Sequence, residues 1–365
     1  MDDNKKFKKI MSKFNIYGDY VKTDPFGKGH INYTYKVLYN QSGSIVPYIL
    51  QKINTDIFPD PHAVTENIKL VTDHQKKYYK DHHDSSRRHL TPVKSKSHKY
   101  LYEDDNGDCW RVFFCIESAV TYEIMRDREA AYKAAKAFGE FQKTLLDLPG
   151  EELKVVIPDF HNTPKRFAAL DRAIENDVAG RVKDVQEEIN FVMARRKDAS
   201  VLVDMYEKGQ IPERIVHNDT KLNNIMFDIH SDEPICVIDL DIVMPGFMAY
   251  DFGDMVRTAT SPAEEDEKDV SKVTMQFPIF KSLVKGFLET LGESMSQDEK
   301  KSLVYGAYII ALEMIVRFLT DHINNDIYFR VHREGHNLDR ARTQVALLKS
   351  IEDQWEKMCR YIERF

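Results

Sequence analysis

The sequence predicts a mixed α/β (α+β) chain in two lobes, a small strand-rich one over residues 1–118 and a larger helical one over 119–365. Three observations predict it. The 365 residues, 42% hydrophobic and 30% charged, suffice for two cores. Up to Ser118 the apolar residues tend to alternate between turn signals. Beyond Ser118 they recur at helical spacing.

Asn32 to Tyr39 and Val46 to Asn54 flank the turn signal Asn40-Gln41-Ser42-Gly43, so they predict an antiparallel hairpin. A helix is expected from Pro61 to Tyr79. Tyr100 to Glu103 and Trp110 to Glu117 form a second strand pair around Asn106-Gly107. A long helix follows from Glu123 to Leu146, stopping near Pro149 and Gly150. Further helices are expected over 165–176, 182–208, 273–292, 297–323 and 338–363. The connection at Ser118 to Thr121 would be the hinge.

The totals exclude several classes. A net charge of -7 and a pI near 6.0 give no electrostatic reason for a nucleic acid or an anionic membrane as partner. The basic stretch between Lys76 and Lys99 reads as a solvated face. Cys109, Cys115, Cys236 and Cys359 are scattered without a C-x-x-C pair, which argues for free thiols rather than a zinc site or disulfides. MDDNKKFKKI lacks the apolar core of a signal peptide. The apolar stretch Tyr308 to Leu319 is interrupted by Glu313 and Arg317 and is too short to span a bilayer. A cytoplasmic protein is expected, with no protein partner implied.

The chemistry concentrates in Ile215 to Asp228 (IVHNDTKLNNIMFD) and Pro234 to Pro245 (PICVIDLDIVMP). The first holds His217-x-Asp219-x-Lys221-x-x-Asn224, and Asp239 ends the apolar run of the second. Phosphoryl transfer from ATP to an alcohol needs these parts. A carboxylate, Asp219, must orient the hydroxyl and accept its proton. The triphosphate needs magnesium, expected as two ions, and magnesium takes hard oxygen ligands, here Asn224 and Asp239. Lys221 matches the catalytic-loop lysine of protein kinases. Asp251-Phe252-Gly253 spells the kinase metal motif but lies too far along the chain, and Asp239 already fills that place. Asp241 either approaches a second metal or is solvated. Asp251 reads equally as a helix N-cap ahead of Met255.

In the first lobe, Gly27-Lys28-Gly29 precedes a strand, where backbone amides approach phosphates or simply turn. Protein kinases carry a phosphate-gripping lysine on the next strand. Here the apolar run puts Gln51 at that position, and alternation sends Lys52 to the other face. Backbone groups near Ile116 to Ala119 would meet adenine. Arg317 and Asp321 share a helix face, giving either a substrate donor or an intrahelical ion pair.

HNDTKLNNI followed by VIDLDIVMPGFMAYDFGD resembles the N-acetylhexosamine 1-kinase branch of the aminoglycoside phosphotransferase family. Further similar blocks are Gly27-x-Gly29-His30-Ile31-Asn32, YILQKINTDIFPD, FHNTPKRF, EEDEKDVSK, Arg317-Phe318-Leu319-x-Asp321 and Asp326-Ile327-Tyr328-Phe329, so the likeness runs nearly the whole chain. The resemblance implies a bilobal protein-kinase-like fold with ATP between the lobes. It implies that Asp251 braces the catalytic loop through its backbone and His217, and that Gln51 faces the nucleotide. His30, Arg317 and Tyr328 would contact the sugar alongside Asp219. The implied reaction is attack of a sugar C1 hydroxyl on ATP. A kinase of the same fold acting on choline, homoserine or an aminoglycoside is the competing enzyme reading.

Overall fold

The structure is a computed structural model and describes residues 3–27 and 31–365. In chain order the elements are α1 (Asp3–Met11), β1 (Asp19–Pro25), β2 (Tyr33–Gln41), β3 (Ser44–Lys52), α2 (Pro61–Tyr78), β4 (Tyr102–Glu103), β5 (Cys109–Phe114) and β6 (Ala119–Val120). Then come α3 (Arg128–Lys143), α4 (Thr163–Asn176), α5 (Gln186–Met193), α6 (Val201–Glu207), β7 (Arg214–Val216), β8 (Ile225–Asp228), β9 (Pro234–Val237) and β10 (Met244–Gly246). The chain ends with α7 (Met248–Ala259), α8 (Phe277–Leu291), α9 (Gln297–Ile323), α10 (His336–Asp353) and α11 (Trp355–Ile362).

Two compact units result, and neither is continuous in sequence. The first comprises Met1–Val120, Asp147–Ile157 and Met226–Met244; the second comprises Thr121–Leu146, Pro158–Ile225 and Pro245–Phe365. The mixed architecture, with a β-sheet amino-terminal region and a helical carboxy-terminal region, is the one the sequence predicts.

The first unit is built on an antiparallel sheet of order β1-β2-β3-β5-β4. Ser42 and Gly43, both at positive φ, make the tight turn that pairs Gln41 with Ser44. One sheet face carries Val37, Tyr39, Tyr48, Leu50, Trp110 and Val112, and it packs on Ile10, Met11 and Phe14 from α1 and the turn after it. Alternation therefore puts Thr34, Gln51 and Arg111, which pair across three strands, on the opposite face. A second small sheet, β6-β8-β9, belongs to the same unit.

The second unit is helical. α9 is long and apolar enough to cross a membrane by length and composition, but 78% of its most apolar window is buried inside the protein. It spans the 297–323 that the sequence predicts, reaching beyond the apolar stretch Tyr308 to Leu319, and it is a core helix. Gly306 makes this packing possible. A Cβ there would run into the backbone carbonyl of Ala249, and one at Gly253 would strike the carbonyl of Gly306. α7 and α9 thus touch backbone to backbone, which fixes the first turn of α7.

Two further expectations need correction. The helix expected over 182–208 is broken into α5 and α6 by a short turn at Arg196–Asp198. Tertiary pairing holds the break: Arg195 grips Glu352 with two nitrogens at 2.6 and 2.7 Å, and Tyr308 donates to Asp198. The basic stretch is more than a solvated face, because His89 is buried and Arg87 binds Asp228 and the carbonyls of Glu117 and Ser118. α1 and β1 lie outside every element expected from sequence.

Candidate active site

The catalytic loop lies in the second unit, between β7 and β8. Asn218 sits at φ +66°, the left-handed region, so the backbone reverses just before Asp219. Such a conformation costs a non-glycine residue about 1 kcal/mol, and asparagine tolerates it best. Two carboxylates on α7 hold it. Asp251, fully buried, accepts from the amides of His217 at 2.8 Å and Asn218 at 2.7 Å, and from the Gln142 side chain. Asp254 accepts from the Thr220 amide at 2.9 Å, and the Thr220 hydroxyl donates to the Asp251 carbonyl. The loop is therefore tied down on both sides of Asp219 while the Asp219 side chain stays out of those bonds. Asp251 lies inside the first turn of α7, whose N-cap is Phe247, so it is not the helix cap that turn chemistry suggests.

Asp219 keeps 25% of its side-chain surface exposed. Lys221 Nζ stands 2.8 Å from one carboxylate oxygen, and the Asn224 amide donates to the other at 3.0 Å and to the Asp219 carbonyl at 2.9 Å. Burial raises the Asp219 carboxyl, but Lys221, His217 and Asn224 outweigh it and hold it below its usual range. The Asp219 charge in turn raises the Lys221 ammonium well above its ordinary value, against desolvation. The group is an ionised carboxylate at neutral pH, suited to orienting a hydroxyl and accepting its proton late. Asn224 spends its amide nitrogen on Asp219, which leaves its oxygen as a hard donor.

A second polar cluster in the same unit surrounds Glu313 on α9. Its carboxylate, fully buried, accepts from Thr163 at 2.9 Å and pairs with His161 Nδ1 at 3.0 Å; Arg317 lies 3.7 Å away. Burial raises the Glu313 carboxyl, but His161, Arg317 and Arg166 hold it below its ordinary value. His161 Nε2 is buried without a partner. The His161 ring leans on Tyr250 at 4.9 Å, the residue next to Asp251, so the cluster adjoins the turn that braces the catalytic loop. Arg317 is enclosed by the rings of Phe160, Tyr328 and Phe329 at 5.2 to 5.9 Å.

In the first unit, Gln51 donates to Thr34 at 3.1 Å and accepts from Arg111 Nε at 2.9 Å. Arg111 Nη2 also binds Asp241, whose other oxygen accepts from Asn32. Both members of that ion pair are almost wholly buried, at 3% and 4% exposure. Asp239, two residues earlier, is exposed at φ +61° on the turn that leads into Asp241. Lys52 points to the other sheet face and pairs with Asp108 at 2.6 Å. Glu117 and Ser118, at the connection after β5, have their carbonyls fixed by Arg87, and Ile116 precedes them.

A family model described as the phosphotransferase enzyme family matches residues 22–270, about two thirds of the chain. The chain belongs to that family. As a small-molecule phosphotransferase it also has kinase-like structural neighbours. An aminoglycoside phosphotransferase from Alicyclobacillus acidocaldarius superposes with a TM-score of 0.61 at 10% identity, covering 97% of this chain and 96% of that one. An ethanolamine kinase from Plasmodium vivax gives 0.56 at 14% identity, over 93% of this chain and 85% of that one. A spectinomycin phosphotransferase in complex with ADP and spectinomycin gives 0.53 at 13% identity, covering 99% of each. At these identities the likeness is one of fold.

Within the phosphotransferase, Asp219, Lys221, Asn224, His217 and Asp251 form one hydrogen-bonded group. Arg317 and Tyr328 come together with Phe160 and Phe329 through cation–ring contacts. Gly27, Gln51, Ile116 and Asp239 lie in the first unit. Gly29 and His30 lie outside the described residues. The Arg317–Asp321 ion pair does not form, because Asp321 accepts from the amides of Tyr328 and Phe329 at 2.8 and 2.9 Å and from Asn337. Asp241 is buried and paired rather than solvated. Sequence reasoning missed Arg111, Glu313 and His161 as candidate site residues. His161 had a signal, since it sits in the FHNTPKRF block; Arg111 had none short of the strand register.

Proposed function

We propose that this phosphotransferase transfers the γ-phosphoryl group of ATP to the C1 hydroxyl of an N-acetylhexosamine, giving the sugar 1-phosphate and ADP. The observation that carries the acceptor class is the Glu313 cluster. Cationic acceptors call for open carboxylates or an aromatic cage around the ligand. Here the carboxylate of Glu313 is already matched by His161, Thr163 and Arg317, and Asp321 by backbone amides. The rings available for a cage already enclose Arg317. What the cluster offers is an arginine and an imidazole nitrogen, which suit hydroxyl and acetamido groups.

Asp219 orients the C1 hydroxyl and takes its proton as the bond to phosphorus forms and the bond to the ADP oxygen breaks. Lys221 neutralises Asp219 and faces the transferring charge. Asn224 and Asp239 offer the hard oxygens that magnesium takes, and the ion when bound neutralises the phosphate oxygens. Arg317 and Tyr328 contact the sugar, with His161 accepting from a ring hydroxyl.

Thermal-shift titration with an ATP analogue and magnesium tests the acceptor. N-acetylglucosamine or N-acetylgalactosamine should raise Tm, while choline and kanamycin should leave it unchanged. A clear preference for choline or kanamycin overturns the sugar assignment. His161→Ala should raise the sugar KM by roughly tenfold, the worth of one buried hydrogen bond, with the ATP KM unchanged.

A further inference from the structure

We infer that Arg111 on β5 supplies the cation that grips the nucleotide phosphates, in place of the lysine that protein kinases carry on β3. This rests on the nucleotide-dependent reading above and names the residue for it. The lysine position is held by Gln51, which is neutral. Lys52, one residue on, faces the other side of the sheet and is taken by Asp108. Phosphate-gripping charge from this region must therefore come from a neighbouring strand.

Arg111 is the direct cross-strand partner of Gln51. It lies on the sheet face away from the α1 core, beside Gln51 and Thr34. Two of its guanidinium nitrogens are spoken for: Nε donates to Gln51, and Nη2 to Asp241. Nη1 is buried and has no partner. A buried cationic N–H without an acceptor is rare enough to need a reason. A ligand oxygen that the protein alone does not contain is the simplest one. Asp241 and Gln51 hold the planar fork fixed, so the third nitrogen presents its hydrogens in a set direction.

The surroundings fit that role. In protein kinases the strand lysine is steadied by a glutamate on the following helix. On α2, Glu66 instead pairs with Lys154, while the buried Asn67 binds the backbone of Lys154 and Val243. The acid that steadies the cation comes from Asp241, two residues after Asp239. Asn32 completes the arrangement, accepting from the Asn54 amide while donating to Asp241. Cation, acid and candidate metal ligand thus sit on connected pieces of one unit. The ligand class is a nucleoside di- or triphosphate, met at a phosphate oxygen.

The test is calorimetric binding of MgATP and of adenosine to the full chain. For Arg111→Met, MgATP affinity should fall by roughly 10- to 100-fold, the range of a charge-assisted hydrogen bond, with adenosine affinity unchanged. The double variant Gln51→Lys/Arg111→Met returns the cation to β3 and should recover most of the loss. If Arg111→Met does not fold, Arg111→Gln/Asp241→Asn removes both charges together and should show the same selective loss. Wild-type MgATP affinity in a folded variant overturns the inference. So does an equal loss of ATP and adenosine, or a loss that the lysine at position 51 fails to rescue. Failure of the wild-type protein to bind either ligand would instead overturn the nucleotide-dependent reading itself.

Discussion

The catalytic loop and the sheet face around Gln51 are built in opposite ways. The loop is local: His217 to Asn224 carries its own carboxylate, lysine and amide, and one nearby helix turn holds it. The sheet face is assembled from distant pieces, since Asn32, Gln51, Arg111 and Asp241 meet only through strand register. A local constellation can be recognised as a motif. A cross-strand one changes its residues while keeping its charge, and it must be read from the fold.

The largest effect should come from the loop. Asp219→Asn keeps the shape and removes the proton acceptor, so kcat should fall by about 10²- to 10⁴-fold with MgATP affinity preserved. Near-wild-type turnover would remove Asp219 from the mechanism. Next comes the brace. Asp251→Ala leaves the amides of His217 and Asn218 and the Gln142 side chain without an acceptor, and should cost about 3 kcal/mol of stability in denaturant unfolding, along with turnover. An unchanged midpoint would show that the loop holds its own conformation.

Smaller is a pH effect that separates two buried acids. The Glu313 carboxyl is held below its ordinary 4.5. Its contribution to stability is thus complete above pH 4.5 and is lost as pH falls through the lower folded value. Asp251 runs the other way: burial raises its carboxyl despite its donors, so ionising it costs the folded state as pH climbs from 3.8. Glu313→Gln should flatten the acid limb of a Tm-versus-pH curve, and an unaltered limb would dismiss the pair as a source of acid lability. Smallest of all, Lys52→Met removes a half-exposed ion pair on the far sheet face. It should change stability by less than about 1 kcal/mol and leave MgATP affinity unaltered. A large loss of affinity would return Lys52 to the nucleotide side.

The same contrast explains what the sequence discloses about the fold. The β2–β3 hairpin, α2, the β4–β5 pair and α9 are legible because periodicity and turn residues agree there. α1 and β1 are not. DNKKFKKIM shows only Phe7, Ile10 and Met11 for a buried face, and β1 is a polar edge strand with no buried residue. The break between α5 and α6 carries no proline or glycine, because partners on α9 and α10 impose it. α7 hides behind a deceptive DFG triplet, although its Asp251 sits in a helical first turn. At the site, Asp219, Lys221 and Asn224 are readable from spacing alone, whereas Arg111 and Glu313 become visible only with their buried partners.

Phosphorus NMR of the products formed from ATP, magnesium and a panel of acceptors tests the central claim most directly. An N-acetylhexosamine should give a new phosphomonoester signal coupled to the anomeric proton, with choline, homoserine and kanamycin untouched. Phosphate appearing on any of those three, or on a sugar carbon other than C1, would contradict the account.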